Sequence, residues 1–212
     1  MQTLLLYAVA AALSATTTLD RIVAVVGKRA IKQSDIERDI RVTQFLNNAP
    51  PAPKAAEEEK QSLERLIDQE LIRADMTAGG NTGHLADEAK ALYTQLLRDR
   101  FGGSKQKLEA ELGRRGLSES QLLQQLQWQL VVLRFIDQRF RPGVMVQDDE
   151  VRRYYDKHRK ELAPSNGDKS FESLGPGIRQ TLEGEAINRN FEEWLKQTRK
   201  AMIIQYKVEA LK

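Results

Sequence analysis

Apolar residues recur at intervals of three and four positions through most of the chain, a spacing typical of amphipathic helices that bury one face. Four segments show this pattern clearly: residues 55–78 (Leu63, Leu66, Ile67, Leu71, Ala74), 86–101 (Ala89, Leu92, Leu96), 104–114 (Leu108, Leu112) and 118–140 (Leu122, Leu126, Leu130, Leu133). Weaker patterns predict helices over residues 34–46, 148–158 and 171–198. In the last of these, Gly175, Pro176 and Gly184 favour a late start or a bend.

Segments typical of β-strands occur only near the two ends of the chain. Residues 21–31 read RIVAVVGKRAI, in which apolar runs flank a Gly27-Lys28 break, as in a short hairpin. Residues 202–208 read MIIQYKV and predict a final strand with one buried and one exposed face. The chain is therefore predicted to be mainly helical, with strands at its ends.

Helix starts are marked by hydroxyl side chains. Ser34 followed by Glu37, and Ser118 followed by Gln121, match the capping box. In that motif the Ser side chain accepts a hydrogen bond from the amide three residues on, while the Glu or Gln reaches back. Asp148 is expected to cap a later helix.

The first residues resemble a secretion signal. Leu4–Ala15 reads LLLYAVAAALSA, an uncharged apolar run. It is shorter than the roughly 20 residues that a membrane-spanning helix needs. Small residues at its end fit a cleavage site, although Met1-Gln2-Thr3 contains no Lys or Arg. We expect a signal peptide over residues 1–15, export to the periplasm and one mature domain over residues 16–212. A buried N-terminal helix is the alternative.

Composition excludes several classes of function. The 33 Lys and Arg residues nearly balance the 30 Asp and Glu residues, giving a net charge of +3, and the two signs alternate along the predicted helices. This pattern favours solvated helix faces over a nucleic-acid surface. The chain contains no cysteine, which excludes disulfides, thiolate catalysis and Cys-zinc sites.

No motif for catalysis or cofactor binding is present in the sequence. Phosphate loops, dinucleotide fingerprints, HExxH and GxSxG are absent. His84 and His158 are isolated in polar stretches, so neither is expected to hold a metal, and no cofactor is expected. Trp128 and Trp194 lie on predicted helices, where a core position is the simpler interpretation.

The order of these segments resembles the SurA family of periplasmic chaperones and, more loosely, the PrsA-type foldases. The resemblance is carried by IVAVVGKRAIKQSDIERDI (22–40), LERLIDQELIRADM (63–76), QLLQQLQWQLVVLRFI (121–136), VMVQDDEVRRYYDKH (144–158) and FEEWLKQTRKAMIIQYKV (191–208). It covers residues 19–158 and 171–209. It implies that the N-terminal hairpin and the C-terminal strand form one small sheet, with the helices packed around a crevice.

The sequence departs from the family in one large respect. In the family, parvulin isomerase domains lie between the YY-type helix and the C-terminal helix, whereas here only residues 160–170 separate them. A domain rarely folds with fewer than about 40 residues, so no catalytic residue can be assigned and we expect no enzyme.

The resemblance implies an ATP-independent chaperone that binds unfolded outer-membrane or secreted proteins. It implies no stable membrane insertion after signal cleavage. A prolyl isomerase and a helical scaffold or adaptor are the alternatives.

A chaperone of this kind should expose apolar side chains that lie off the core stripes. Phe45 and Leu46 precede a proline-rich loop, Leu97 and Phe101 flank a charged stretch before Gly102-Gly103, and Met145 is flexible. Trp128 lies about 200° around the helix from Leu126 and should point away from that stripe. The candidate peptide-binding residues are Phe45, Leu46, Leu97, Phe101, Trp128 and Met145.

Overall fold

The computed structural model describes residues 20–51, 55–76, 85–159, 161 and 170–207. In chain order, these residues form β1 (Ile22–Val26), β2 (Arg29–Lys32), α1 (Gln33–Leu46), α2 (Ala56–Met76), α3 (Leu85–Phe101), α4 (Lys105–Arg114), α5 (Glu119–Phe140), α6 (Asp148–His158), α7 (Phe171–Ala201) and β3 (Ile204–Tyr206). The expected signal peptide and His84 lie outside the described residues. None of the described helices is both long and apolar enough to cross a membrane.

A three-stranded antiparallel sheet joins the two ends of the described chain. β1 is its central strand, with β2 on one side and β3 on the other. The β1–β2 turn consists of Gly27 and Lys28, and the positive φ of +58° at Gly27 suits a residue without a side chain. On the other side, Ala24 pairs with Tyr206 and Val26 with Ile204. The structure thus confirms a mainly helical fold with a small sheet made by an N-terminal hairpin and a C-terminal strand.

The sheet packs against α1 and α2 through one apolar cluster, here named the sheet cluster. Its buried members are Val23, Ala24, Val26, Ile31, Ile36, Ile40, Leu63, Ile67 and Leu71. Met202 and Ile204, from the other end of the chain, pack against it. The fully buried Ser62 hydroxyl donates to the Ile36 carbonyl, so α2 crosses α1 without leaving that hydroxyl unpaired.

A second cluster, the α3–α5 cluster, lies beyond α1. It contains Val42, Phe45, Ala89, Tyr93, Leu108, Leu112, Leu117, Leu122 and Leu126. The last turn of α1 is fixed by Arg100 of α3, whose guanidinium donates to the Phe45 carbonyl at 2.9 Å and to the Asn48 side chain at 3.1 Å. The Phe45 carbonyl also accepts from the Asn48 amide at 3.1 Å, so both the backbone and α3 hold the end of α1.

The long helix α7 spans two packing environments. Its C-terminal half joins α2 and α5 in an aromatic cluster that includes Phe135, Phe140, Phe191 and Trp194. Arg199 then ties α7 to α2 through ion pairs with Glu64 and Asp68. The N-terminal half of α7 packs on α6 through Val151, Tyr155 and Ile178.

The sequence favoured a late start or a bend in α7; the late start is wrong, because the helix begins at Phe171 and runs to Ala201. Pro176 is exposed and lies in the second turn, so its missing N–H removes only one intrahelical hydrogen bond. Ser170 caps the helix by accepting from the Ser173 amide. Packing against α6 therefore outweighs the local preference for a break.

The capping box predicted at Ser34 and Glu37 is wrong, whereas the one at Ser118 and Gln121 is confirmed. α1 begins at Gln33, directly after β2, and Asp35 accepts from the Lys32 amide. Ser34 instead donates its amide and hydroxyl to Asp20, which fastens the start of the hairpin to α1. A tight connection from strand to helix thus replaces the longer turn that the serine suggested.

Two predicted apolar stripes need correction. On α3, Leu92 is 37% exposed and Tyr93 is buried in its place. On α5, Leu133 is 63% exposed, while Val131 and Phe135 are buried. The buried face of α5 shifts because its first half packs on the α3–α5 cluster and its second half on the aromatic cluster. α6 also begins after Gln147, with Asp148 as its first residue rather than its cap.

Candidate functional site

A cleft of about 360 Å³ opens where β2, α1, α2 and α5 meet. Its lining comes from β2 (Arg29, Ala30, Ile31), α1 (Asp35, Arg38, Asp39, Val42), α2 (Leu66, Gln69, Glu70, Arg73) and α5 (Gln121, Gln124, Gln125, Trp128). Val42 and Ile31 are buried members of the core, so they form an apolar base beneath polar walls. The cleft is therefore a polar crevice with limited apolar surface.

The charged groups on the walls are paired with one another. Glu70 bridges Arg73 and Arg29, with 3.5 Å between the Arg29 and Glu70 side chains. Asp35 pairs with Arg38 on α1. Asp39 is 8% exposed and accepts from Arg65 at 2.6 Å, which supplies the partner that a nearly buried carboxylate needs. These pairs leave the walls with no large charge of one sign.

The Trp128 side chain forms part of one wall of the cleft, and an arginine packs against its ring. The Arg73 guanidinium carbon lies 4.3 Å from the centre of its ring, within the range of a cation–π interaction. Trp128 also packs on the aromatic cluster. Because α2 holds Arg73 and α7 contributes to that cluster, two helices fix the position of the ring.

Side-chain amides supply uncommitted hydrogen-bonding groups. Within the part of the chain that the structure describes, Gln69 and Gln125 make no side-chain hydrogen bond. Each amide can both donate and accept. These two residues are therefore suited to pairing with the peptide groups of another chain.

The edge of β2 supplies a second set of hydrogen-bonding groups. Val26 and Arg29 flank the two-residue turn, so they exchange hydrogen bonds, and the next pair, Val25 and Ala30, does not. The N–H and C=O of Ala30 therefore point away from β1, on the side where β2 has no neighbouring strand. Ala30 is exposed and lines the cleft. The cleft thus lies beside an open strand edge.

Four of the six candidate peptide-binding residues belong to the α3–α5 cluster. Phe45 has 0% exposure and stacks on Phe101 with 6.3 Å between ring centres. Leu46, Leu97 and Phe101 are partly buried against the same cluster. The structure brings these four residues together, but in a core, and the Phe45 side chain is inaccessible to a client in this conformation.

The other two candidates lie apart from that cluster. Trp128 lines the cleft and is partly buried. Met145 is 81% exposed and lies in the irregular segment before α6. The six residues therefore do not line one common groove.

Most of the cleft residues carried no signal in the sequence. Glu70 and Arg73 carried a weak signal, because they are oppositely charged residues three positions apart on a predicted helix. Ala30 carried none, since nothing local shows which edge of a hairpin will stay open. In the described chain, no group of three or more His, Cys, Asp and Glu side chains could hold a metal ion.

Comparison with known proteins gives no relative from which a role could be transferred. No family model matches the chain, and no curated protein matches it.

Proposed function

We propose that the protein is an ATP-independent periplasmic chaperone of the SurA type, which binds extended segments of unfolded outer-membrane or secreted proteins. The observation that carries this proposal is the polar cleft beside the open edge of β2. Its chemistry matches the feature that all unfolded chains share, namely an exposed peptide backbone. The joining of hairpin and C-terminal strand into one sheet agrees with what the resemblance implied.

In this mechanism the client adds a strand to the sheet. The outward N–H and C=O of Ala30 pair with the client backbone, and Gln69 and Gln125 bind peptide groups farther along the cleft. The accessible part of Trp128, which lines the cleft, contacts a client side chain. Backbone pairing does not depend on the client sequence. Because the contacts are few, binding is weak and reversible, and no nucleotide is needed to release the client.

The proposal excludes an inserted isomerase domain as the source of activity. α6 ends at His158 and α7 begins at Phe171, and the segment between them is far shorter than the roughly 40 residues that an independent domain needs. A holding function is therefore better supported than prolyl isomerisation.

The proposed backbone pairing is tested by Ala30→Pro, which removes the outward N–H. The β1–β2 ladder does not use that N–H, so the fold should survive. We expect the variant to need roughly 2- to 10-fold more protein to suppress aggregation of a urea-unfolded outer-membrane β-barrel protein, the equivalent of one net hydrogen bond. Ala30→Thr retains the N–H and is the matched control. Equal protection by both variants would exclude strand addition at β2.

The same titration has a second readout. In a Trp194→Phe background, Trp128 is the only tryptophan, since the sequence contains two. Client binding in the cleft should then shift the Trp128 emission. Aggregation suppression without any change in that emission would place the client elsewhere on the protein.

A further inference from the structure

A smaller cavity of about 190 Å³ lies on the far side of α1, outside the cleft. It is lined by Glu37, Ile40, Arg41, Gln44, Pro51, Arg114 and Arg115. The lining comes from α1, the residues that follow it and the C-terminal end of α4. Three arginines thus line one small space.

Two of these arginines carry buried N–H groups without a hydrogen-bond acceptor. The Arg115 side chain is only 7% exposed, and its Nη1 has no partner. The Nε of Arg41 is likewise buried without a partner. An unpaired polar group in the interior is unfavourable, and more so when it is charged. Both arginines line the same cavity, which is therefore the place where an acceptor for these groups is expected.

The charge around the cavity favours an anion with one negative charge. Glu37 lies 3.7 Å from the Arg41 side chain, and Glu111 pairs with both Arg114 and Arg115. Hydrogen bonds from Arg114 and Arg115 hold the pKa of Glu111 below its ordinary value, so this carboxyl stays ionised at neutral pH. Three guanidinium groups and two carboxylates leave one excess positive charge. A dianion would meet the repulsion of both glutamates.

The remaining lining indicates the rest of the ligand. Ile40 and Pro51 are apolar, while the Gln44 amide is held by Glu58 on α2 at 3.2 Å. A planar carboxylate matches the fork of a guanidinium group better than a rounder anion does. A short apolar substituent would contact Ile40 and Pro51.

We propose that this cavity binds a carboxylate attached to a short apolar group. Two sources carry that chemistry: a free small aliphatic acid, and the terminal carboxylate of a polypeptide that ends in an apolar residue. The site is independent of the β2 cleft, so its failure would leave the chaperone proposal intact, and the reverse also holds.

The test is calorimetric titration of the whole protein at constant ionic strength with four probes: isobutyrate, the tripeptide Ala-Ala-Val, the same tripeptide with an amidated C-terminus, and inorganic phosphate. We expect isobutyrate or the free tripeptide to bind, and the amide and phosphate to bind at least tenfold more weakly. Binding of the free tripeptide but not isobutyrate assigns the site to a polypeptide terminus. Binding of isobutyrate alone assigns it to a small acid.

Variants connect that binding to the cavity. Arg41→Gln should weaken it at least tenfold, whereas Arg98→Gln, on the exposed face of α3, should leave it unchanged. Arg115→Lys is the second variant, since it keeps the positive charge but loses the forked guanidinium group. Unchanged far-ultraviolet circular dichroism confirms that each variant folds. No binding of either carboxylate, equal binding of phosphate, or equal loss in Arg98→Gln would overturn the proposal.

Discussion

At the scale of the residue, Phe45 shows how neighbours distant in sequence decide exposure. Its position at a helix end beside prolines suggested an accessible side chain, yet it is completely buried. The Arg100 guanidinium lies 4.6 Å from its ring centre, and Phe101 stacks on the ring. Both partners lie more than fifty positions away, on α3. A single local window of sequence therefore could not distinguish an exposed helix end from one that a later helix covers.

Asp20 gives a prediction about pH at the same scale. Its carboxylate accepts hydrogen bonds from the hydroxyl and the amide of Ser34. These two bonds, the hydroxyl bond most strongly, lower the pKa of Asp20 from the ordinary value of 3.8. A group whose pKa falls on folding stabilises the folded state above its unfolded pKa and loses that effect as pH falls through the folded pKa. Asp20→Asn should therefore lower the thermal midpoint at neutral pH.

The difference between wild type and Asp20→Asn should shrink as the pH falls below 3.8. Thermal melts followed by circular dichroism between pH 7 and the acid limit of folding would measure it. Asp99→Asn, an exposed change on α3, is the control. A difference that stays constant across this range would show that the Asp20 charge does not fasten the hairpin to α1.

At the scale of the element, β3 is short but closes the sheet. Its three residues pair with β1, and the Gly27 amide donates to the Ile203 carbonyl at 3.0 Å. Met202 and Ile204 also pack on the sheet cluster. Because a lone hairpin is marginal in water, β3 should contribute more to the stability of the fold than its three residues would suggest.

Deletion of residues 201–212 should lower the free energy of unfolding by about 2–4 kcal/mol, from the partial burial of two apolar side chains and the loss of the ladder. Urea unfolding followed by circular dichroism would measure this. Deletion of residues 208–212 alone keeps β3 and serves as the control. Equal unfolding midpoints for the two deletions would mean that β3 contributes nothing to stability.

Element existence was predictable from sequence because the signals were local. Gly27-Lys28 between apolar runs identified the hairpin, and Ser118 with Gln121 identified the start of α5. Element faces were less predictable, since α5 packs on two different clusters along its length and its buried side rotates from Leu126 to Phe135. An apolar stripe identified in the first half of such a helix therefore predicts the wrong buried residues in the second half, as the exposed Leu133 shows.

At the scale of the whole molecule, the candidate sites are products of tertiary arrangement. The cleft joins side chains from four elements between Arg29 and Trp128, and the carboxylate cavity joins α1 to the end of α4. Local sequence patterns do not predict which of these side chains lie together. Trp128 was identified because its position off the Leu126 stripe was a local property, whereas the partners that hold it, Arg73 and the aromatic cluster, were not.

Export is the prediction on which the periplasmic proposal depends. The uncharged run Leu4–Ala15 has the length of a signal-peptide core and is followed by small residues. β1 begins at Ile22, so cleavage near Ala15 would remove none of the described elements. We expect the native protein in the periplasmic fraction, with a mature N-terminus near Thr16, as measured by intact mass spectrometry.

A charge placed in that run should block export, because a charged side chain in the centre of an apolar segment opposes insertion by about 2.5–3.5 kcal/mol. Val9→Arg, in the centre of the run, should therefore leave a precursor that retains Met1 in the cytoplasm, whereas Val9→Ile should be processed normally. A wild-type protein that keeps Met1 and stays in the cytoplasm would remove the periplasmic proposal. One that keeps Met1 in the membrane fraction would instead favour the scaffold alternative, with the N-terminal segment as its anchor.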